Sequence, residues 1–263
     1  MRSAASSGPR DRKYEILSYQ NRVSPVDRRL SKLELDRTHG ATFLARKGLN
    51  ILGATPREEW PSMAARLVGV RPSMPLIANA VRLVQEIGDA GAVVSQLDLE
   101  RRKLAEKAVG RLAGYDSVVT ISNSSAVTDT LKLSGIRSAQ VVVAGPDDEG
   151  HATVRILRRA GLSARAVLVS DIDAEIGLVG CDAVFSDGSF VNRRGTAALA
   201  RELAPLVLLV LAESLKRVDG DAPKTWPEPE LFEIVGPMAN IQVLAADWAR
   251  SGRGSAPGAP RRR

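Results

Sequence analysis

The feature that most constrains this chain is a change of hydrophobic period after Gly114. Beyond it, short aliphatic runs recur: SVVTIS (117–122), QVVVAG (140–145), ARAVLVS (164–170), DAVFS (182–186) and LVLLVL (206–211). Between them lie segments of helical period near 125–134, 149–160 and 194–204, with a short one near 173–178. Apolar strands separated by helical crossovers belong to a parallel sheet buried on both faces. The prediction is an α/β fold whose second half, residues 115–250, is a Rossmann-like domain. Such sheets bind ligands outside the carboxyl ends of their strands. Those ends are polar or glycine-rich here: Ser122-Asn123-Ser124, Gly145-Pro146, Ser170-Asp171 and Asp187-Gly188.

From Tyr14 to Gly114 the period is that of helices. Leu30, Leu33 and Leu35, then Phe43, Leu44, Leu49 and Leu52, recur at helical offsets, and Pro56 marks a break. Trp60, Met63, Ala64 and Leu67 share a face; Arg71-Pro72-Ser73 is a turn, and helices follow near 75–90 and 94–112. These predict a helical domain over 14–114. Residues 1–13 and 251–263 have the Gly/Ser/Pro/Arg composition of disordered tails.

The net charge of +7 would suggest a nucleic-acid partner, but its location argues otherwise. Residues 1–13 carry Arg2, Arg10, Arg12 and Lys13 against Asp11, and residues 249–263 carry five arginines, so the body between is nearly neutral. Basic tails give at most non-specific contact, and 3 Trp, 3 Tyr and 4 Phe leave few platforms for bases. The longest apolar run, Leu203–Ala212, is about half of the roughly 20 residues a membrane span needs and reads as a buried strand. The single cysteine, Cys181, excludes an intramolecular disulfide and matches a soluble protein of a reducing cytoplasm. Two histidines, His39 and His151, make no metal cluster. There is no dinucleotide or phosphate-loop glycine motif and no GxSxG elbow, so no metal and no cofactor is expected.

One stretch concentrates polar groups: GCDAVFSDGSFVNRRGTAALA, Gly180–Ala200. A β-favouring run at Ala183–Phe185 turns at Asp187-Gly188; Asn192, Arg193 and Arg194 then precede Gly195-Thr196, which opens a helix. Free N–H groups at a helix start favour an anion, which points to a ligand with negative charge. Cys181 adjoins Asp182, but successive strand residues face opposite sides; with Asp182 toward a cleft, Cys181 is an inert core residue.

This stretch resembles a pattern of the superfamily that joins the α/β/δ subunits of translation initiation factor 2B to the aldose–ketose isomerases of sugar 1-phosphates. These are methylthioribose-1-phosphate isomerase and ribose-1,5-bisphosphate isomerase. The family's G-A-D, N-G, N-K-x-G-T and L-A are similar to segments of it in order. EGHATVRILRRAGL (149–162), ESLKR (213–217), RPSMPLIANAVR (71–82), PELFEIVGP (229–237) and HGATFLA (39–45) extend the likeness from about Asp36 to Asp247. The resemblance implies a helical domain before a Rossmann-like one and pairing through the second domain, hence a homodimer. It puts Asp182 on the catalytic aspartate, Asn192 on a site asparagine, Arg193 on a lysine position and His151 in a shared Gly-His. It also carries over Glu213 and Lys216, and Arg71 with Asn79 and Arg82. Asn123 and Ser124 follow the position of the family's catalytic thiol, which here is Ser122.

Other departures are Gly145 where the isomerases have arginine, His39 where arginine is usual, and Ala245-Ala246 before Asp247 in place of Thr-Glu. Opening a sugar phosphorylated at its anomeric carbon needs an acid near the ring oxygen and a base for C2. A thiol of pKa about 8.5 can serve near neutrality; a serine hydroxyl needs a neighbouring base. Three functions follow. One is a protein binding a phosphorylated sugar or nucleotide-like small molecule, with Asp182, Ser122, Arg71, Asn123, Ser124, His151, Asn192, Arg193 and Lys216 at its site. Another is an active isomerase using Asp182 with Ser122 or His151. The third is a regulatory subunit of a protein assembly.

Overall fold

The computed structural model describes residues 24–36, 39–145 and 148–246. Both basic tails, Pro146 and Asp247 lie outside the described residues.

Five helices come first: α1 (Pro25–Leu35), α2 (Ala41–Gly53), α3 (Trp60–Val70), α4 (Pro75–Ile87) and α5 (Ala90–Leu112). Their boundaries follow local chemistry. Ser24 caps α1 through the Asp27 amide, with Pro25 in the first turn. Gly88 ends α4 in the left-handed region, φ 78°, and Asp89 starts α5 by accepting from the Ala92 amide at 2.9 Å. Leu30, Leu33, Leu44, Leu49, Leu52, Met63, Ala64 and Leu67 are buried as their spacing predicts, whereas Leu35, at the last turn of α1, is 76% exposed.

After Gly114 come β1 (Ser117–Ile121), α6 (Ser125–Leu133), β2 (Ser138–Val142), α7 (Gly150–Arg159) and β3 (Ser163–Val167). The chain continues through β4 (Ile176–Gly180), β5 (Ala183–Val184), β6 (Phe190–Arg193), α8 (Thr196–Leu203), β7 (Leu208–Ala212), β8 (Phe232–Val235) and β9 (Ile241–Ala245). Six strands form one parallel sheet in the order β3-β2-β1-β4-β7-β9. Helices therefore precede a parallel α/β sheet, as the change of period predicts.

Two strand expectations need correction. The fourth parallel strand is Ile176–Gly180, within and beyond the stretch read as a short helix. The run read as that strand, 182–186, supplies only β5 of a small antiparallel sheet, β5-β6-β8. Two glycines hide β4 because they weaken strand propensity. Packing requires both: a Cβ at Gly177 would lie 2.5 Å from Leu203 and 2.6 Å from Leu208, and one at Gly180 2.5 Å from Ser124 Oγ. The apolar run 203–212 is likewise divided, Leu203 closing α8 and Leu208 opening β7.

The first half of α5 (Ala90, Val93, Leu97) packs with α1–α4 and with Ala183, Phe185, Val191 and Phe232 of the small-sheet region. Its second half (Leu104, Ala108, Leu112) joins Val118, Val127, Leu131, Leu157 and Leu211 on one face of the large sheet. Leu199, Ala200 and Leu203 of α8 cover the other face. Because β2 and β3 lie to one side of β1, and β4 and β7 to the other, the strand order reverses between β1 and β4. A crevice opens at the carboxyl ends of two such strands.

Candidate functional site

A cleft occupies that crevice, with about 570 Å³ of empty space, part of it open to solvent. Ser122, Asn123, Ser124 and Ser125 line it from beyond β1; Gly180, Cys181 and Asp182 from the end of β4. Gly40, Ala41 and Thr42 at the start of α2, with Arg71, Asn192, Arg193, Lys216, Glu149 and Phe232, complete most of the wall.

Ser122 stands in the left-handed region, φ 65°, and its carbonyl accepts from Thr153 Oγ1 at 2.8 Å. Such a backbone costs a non-glycine residue about 1–3 kcal/mol and tends to occur where function requires it. The kink delivers Ser124 to the start of α6, where its Oγ reaches the Val127 amide only at 3.5 Å. At that length the cap is weak, so the first-turn amides beside Ser125 keep most of their capacity for an anion. The start of α2 also faces the cleft, and Gly40 gives it no side-chain cap.

Asp182 is nearly buried, and among the described residues no side chain or amide donates to its carboxylate. Burial pushes its carboxyl up to about 6, against the pull of Lys216, Arg71 and Arg193 and with help from Glu213. A carboxyl with that value exchanges protons near neutrality.

Three cations reach the cleft, each beside an acid. Lys216 Nζ lies 2.5 Å from Glu213 Oε2, Arg71 Nε 3.4 Å from Glu228 Oε2, and Arg193 Nε 3.6 Å from Glu149 Oε1. Burial opposes both charges of the Lys216–Glu213 pair. Their mutual attraction, with the 2.6 Å bond from Thr42 Oγ1 to Glu213, still holds the lysine above and the glutamate below its ordinary range. Burial raises the Glu149 carboxyl despite Arg193. Glu149 is a wall residue missed from sequence; its place beside Gly150-His151 in the resembling segment was the available signal.

Of the residues singled out from sequence, Ser122, Asn123, Ser124, Asp182, Asn192, Arg193, Lys216 and Arg71 share this one cleft. His151 does not: its Nε2 sits 3.0 Å from the Gly145 carbonyl, which ties down the loop after β2. Arg194 turns away to the Pro229 carbonyl at 3.1 Å. The helix start at Gly195-Thr196 is not an anion site, because Glu233 Oε1 already accepts from the Ala197 amide at 2.9 Å. Asn192 donates to Thr196 Oγ1 at 3.0 Å, so its amide braces that turn. Cys181 borders the cleft, yet its thiol donates to the Leu211 carbonyl at 3.4 Å and burial pushes it up to about 12. Cys181 is buried as expected, but it lines the cleft beside Asp182 instead of facing away from it. Asn79 Nδ2 donates to the Leu215 and Arg217 carbonyls, supporting the Lys216 turn from behind.

The sequence model of the initiation factor 2 subunit family matches residues 54–204, more than half of the chain. The chain belongs to this family. A translation initiation factor eIF-2B subunit 2-like protein of Pyrococcus abyssi is 28% identical over 213 residues, 71% of this chain and 77% of that one. A ribose 1,5-bisphosphate isomerase of Archaeoglobus fulgidus is 26% identical over 183 residues. That match covers 60% of this chain and 58% of the isomerase. Among solved structures, translation initiation factor eIF-2B of Pyrococcus horikoshii superposes with a TM-score of 0.70 at 22% identity, covering 84% of this chain and 95% of that one. That likeness is one of fold. Isomerases and initiation-factor subunits thus share this scaffold. Among the described residues no helix is long and apolar enough to cross a membrane, and no His/Cys/Asp/Glu group could hold a metal ion.

Proposed function

We propose that this protein binds a small phosphorylated sugar in the cleft between β1 and β4, with Ser122 where the related isomerases carry their thiol. The observation that carries the reading is Asp182, a nearly buried carboxyl to which none of the described residues donates, in one cavity with Lys216, Arg71, Arg193 and the weakly capped start of α6. The cations and helix amides supply an anion's hydrogen bonds. Asp182, titrating near neutrality, faces the polyol and hydrogen-bonds a sugar hydroxyl.

The serine separates binding from turnover. Its hydroxyl needs a base, and the His151 ring is engaged by the Gly145 carbonyl. On this reading the chain holds the ligand without isomerising it. The Asp182 titration favours a second reading, an active aldose–ketose isomerase in which Asp182 alone shuttles the proton.

Incubation with ribose 1,5-bisphosphate, followed by NMR for product and by thermal unfolding for binding, separates the two. Stabilisation without product supports the first reading, since a ligand of the native state raises stability by mass action. Ser122→Cys is then expected to gain measurable turnover. Product from the unmutated protein, abolished in Asp182→Asn, establishes the second. No stabilisation by any phosphorylated sugar overturns both and leaves a role in a protein assembly. Pairing of two copies in solution belongs to the same reading and is checked by light scattering.

A further inference from the structure

We infer that Glu100, outside the cleft, is a positioning residue that sets Lys216 by holding the amide of Ser214. Glu100 is 5% exposed and lies on the buried stripe of α5 between Leu97 and Leu104. Leu97 belongs to the core of the helices and Leu104 to the core of the sheet, so Glu100 marks the seam between them. An apolar residue would continue that stripe; a buried carboxyl there costs free energy unless its bonds serve a purpose.

The bonds it makes point to one. Glu100 Oε1 accepts from the Ser214 backbone amide. Ser214 opens the single turn Ser214–Lys216, which starts from the carboxyl end of β7 and projects Lys216 into the cleft. Two other helices grip the same turn: Thr42 of α2 holds Glu213 at 2.6 Å, and Asn79 of α4 holds the Leu215 carbonyl at 2.7 Å. Glu100 supplies the third tether, and the only one of these three on the turn's first amide.

Its second oxygen, Oε2, is buried and has no hydrogen-bond partner among the described residues. A full negative charge there would stand beside Glu213 and compete for the single ammonium of Lys216. Burial instead drives the Glu100 carboxyl up, toward its neutral form, with Glu213 adding to the effect and Ser214 and Lys216 opposing it. Oε1 accepts from the Ser214 amide in either protonation state, so the tether does not depend on the charge.

The effect on ligand affinity rests on the phosphosugar reading; the tether does not, and the test separates them. Glu100→Met fills the same space without an acceptor, and Glu100→Gln keeps the acceptor without a titratable carboxyl. Amide exchange at Ser214 and affinity for ribose 1,5-bisphosphate are measured in both, beside denaturant unfolding. In Glu100→Met, exchange at Ser214 rises about tenfold or more and affinity falls by a similar factor, the scale of one buried hydrogen bond, while global stability holds or increases. Glu100→Gln stays within about threefold of the parent in both, since a neutral amide oxygen accepts equally. A Glu100→Met protein with unchanged Ser214 exchange overturns the proposal, as does a Ser214 amide in the unmutated protein exchanging like an open loop, which needs no variant. If the unmutated protein binds no phosphosugar yet Ser214 exchange rises in Glu100→Met, the tether stands and the functional reading falls.

Discussion

Two helix starts flank the same sheet and behave oppositely. At α8 the motif Asn192-Arg193-Arg194-Gly195-Thr196 has the glycine and cations of an anion site, but the Glu233 carboxylate already occupies the helix start. At α6 the motif is plainer, Ser122-Asn123-Ser124, and its first turn stays weakly capped toward the cleft. The difference lies in what the rest of the fold brings to each end. The small sheet pairs Asn192 with Glu233 and so delivers an acid to α8, whereas α6 starts at the reversal of strand order, where the chain leaves a gap. A helix N-terminus is a site only if the protein has not supplied its own anion.

The largest expected break of that contrast comes at the open end. Lys216→Ala strands Glu213 in a buried position, costing about 3–5 kcal/mol in denaturant unfolding, and removes phosphosugar-dependent stabilisation. Asp182 gives a smaller effect of opposite sign. Its folded value, raised from 3.8 to about 6, means that the native state holds the proton more tightly than the unfolded chain. Its contribution is therefore fully present below about pH 4 and lost as pH rises through about 6. Asp182→Asn is accordingly more stable than the parent at pH 7, by about 3 kcal/mol, and no more stable at pH 4; unfolding midpoints across that range check both ends.

Gly180→Ala sharpens the comparison sterically. Its methyl would meet Ser124 and push the start of α6 aside, with a stability loss of about 1–3 kcal/mol and weaker phosphosugar binding by calorimetry. The smallest effect belongs to the closed end: Glu233→Ala uncaps α8 for about 1 kcal/mol and leaves that affinity unchanged. Loss of binding in Glu233→Ala with retention in Gly180→Ala would reverse the assignment of the two ends.

Much of this was legible beforehand because periodicity is local. The helices and most large-sheet strands follow from apolar spacing, Ser122 follows from the polar end of a strand, and Asp182 and Lys216 follow from the resemblance to the family's motifs. The misreadings share a cause. β4 contains glycines that strand propensity disfavours but Leu203, Leu208 and Ser124 require. His151 and Arg194 carry the right chemistry, yet backbone carbonyls of Gly145 and Pro229 engage them. Glu149 stands in the resembling segment 149–162 but is not among the residues singled out there.

By itself, the sequence determined a set of helices followed by a parallel sheet, the polar character of that sheet's carboxyl ends, and most of the side chains gathered there. Tertiary structure alone decided which helix start remains open, which cations face the cleft, and which carboxyl is buried enough to titrate near neutrality. The reason is physical: period and propensity act between residues a few positions apart. Capping by Glu233, tethering by Glu100 and Thr42, and desolvation of Asp182 depend on groups that only the folded chain brings together.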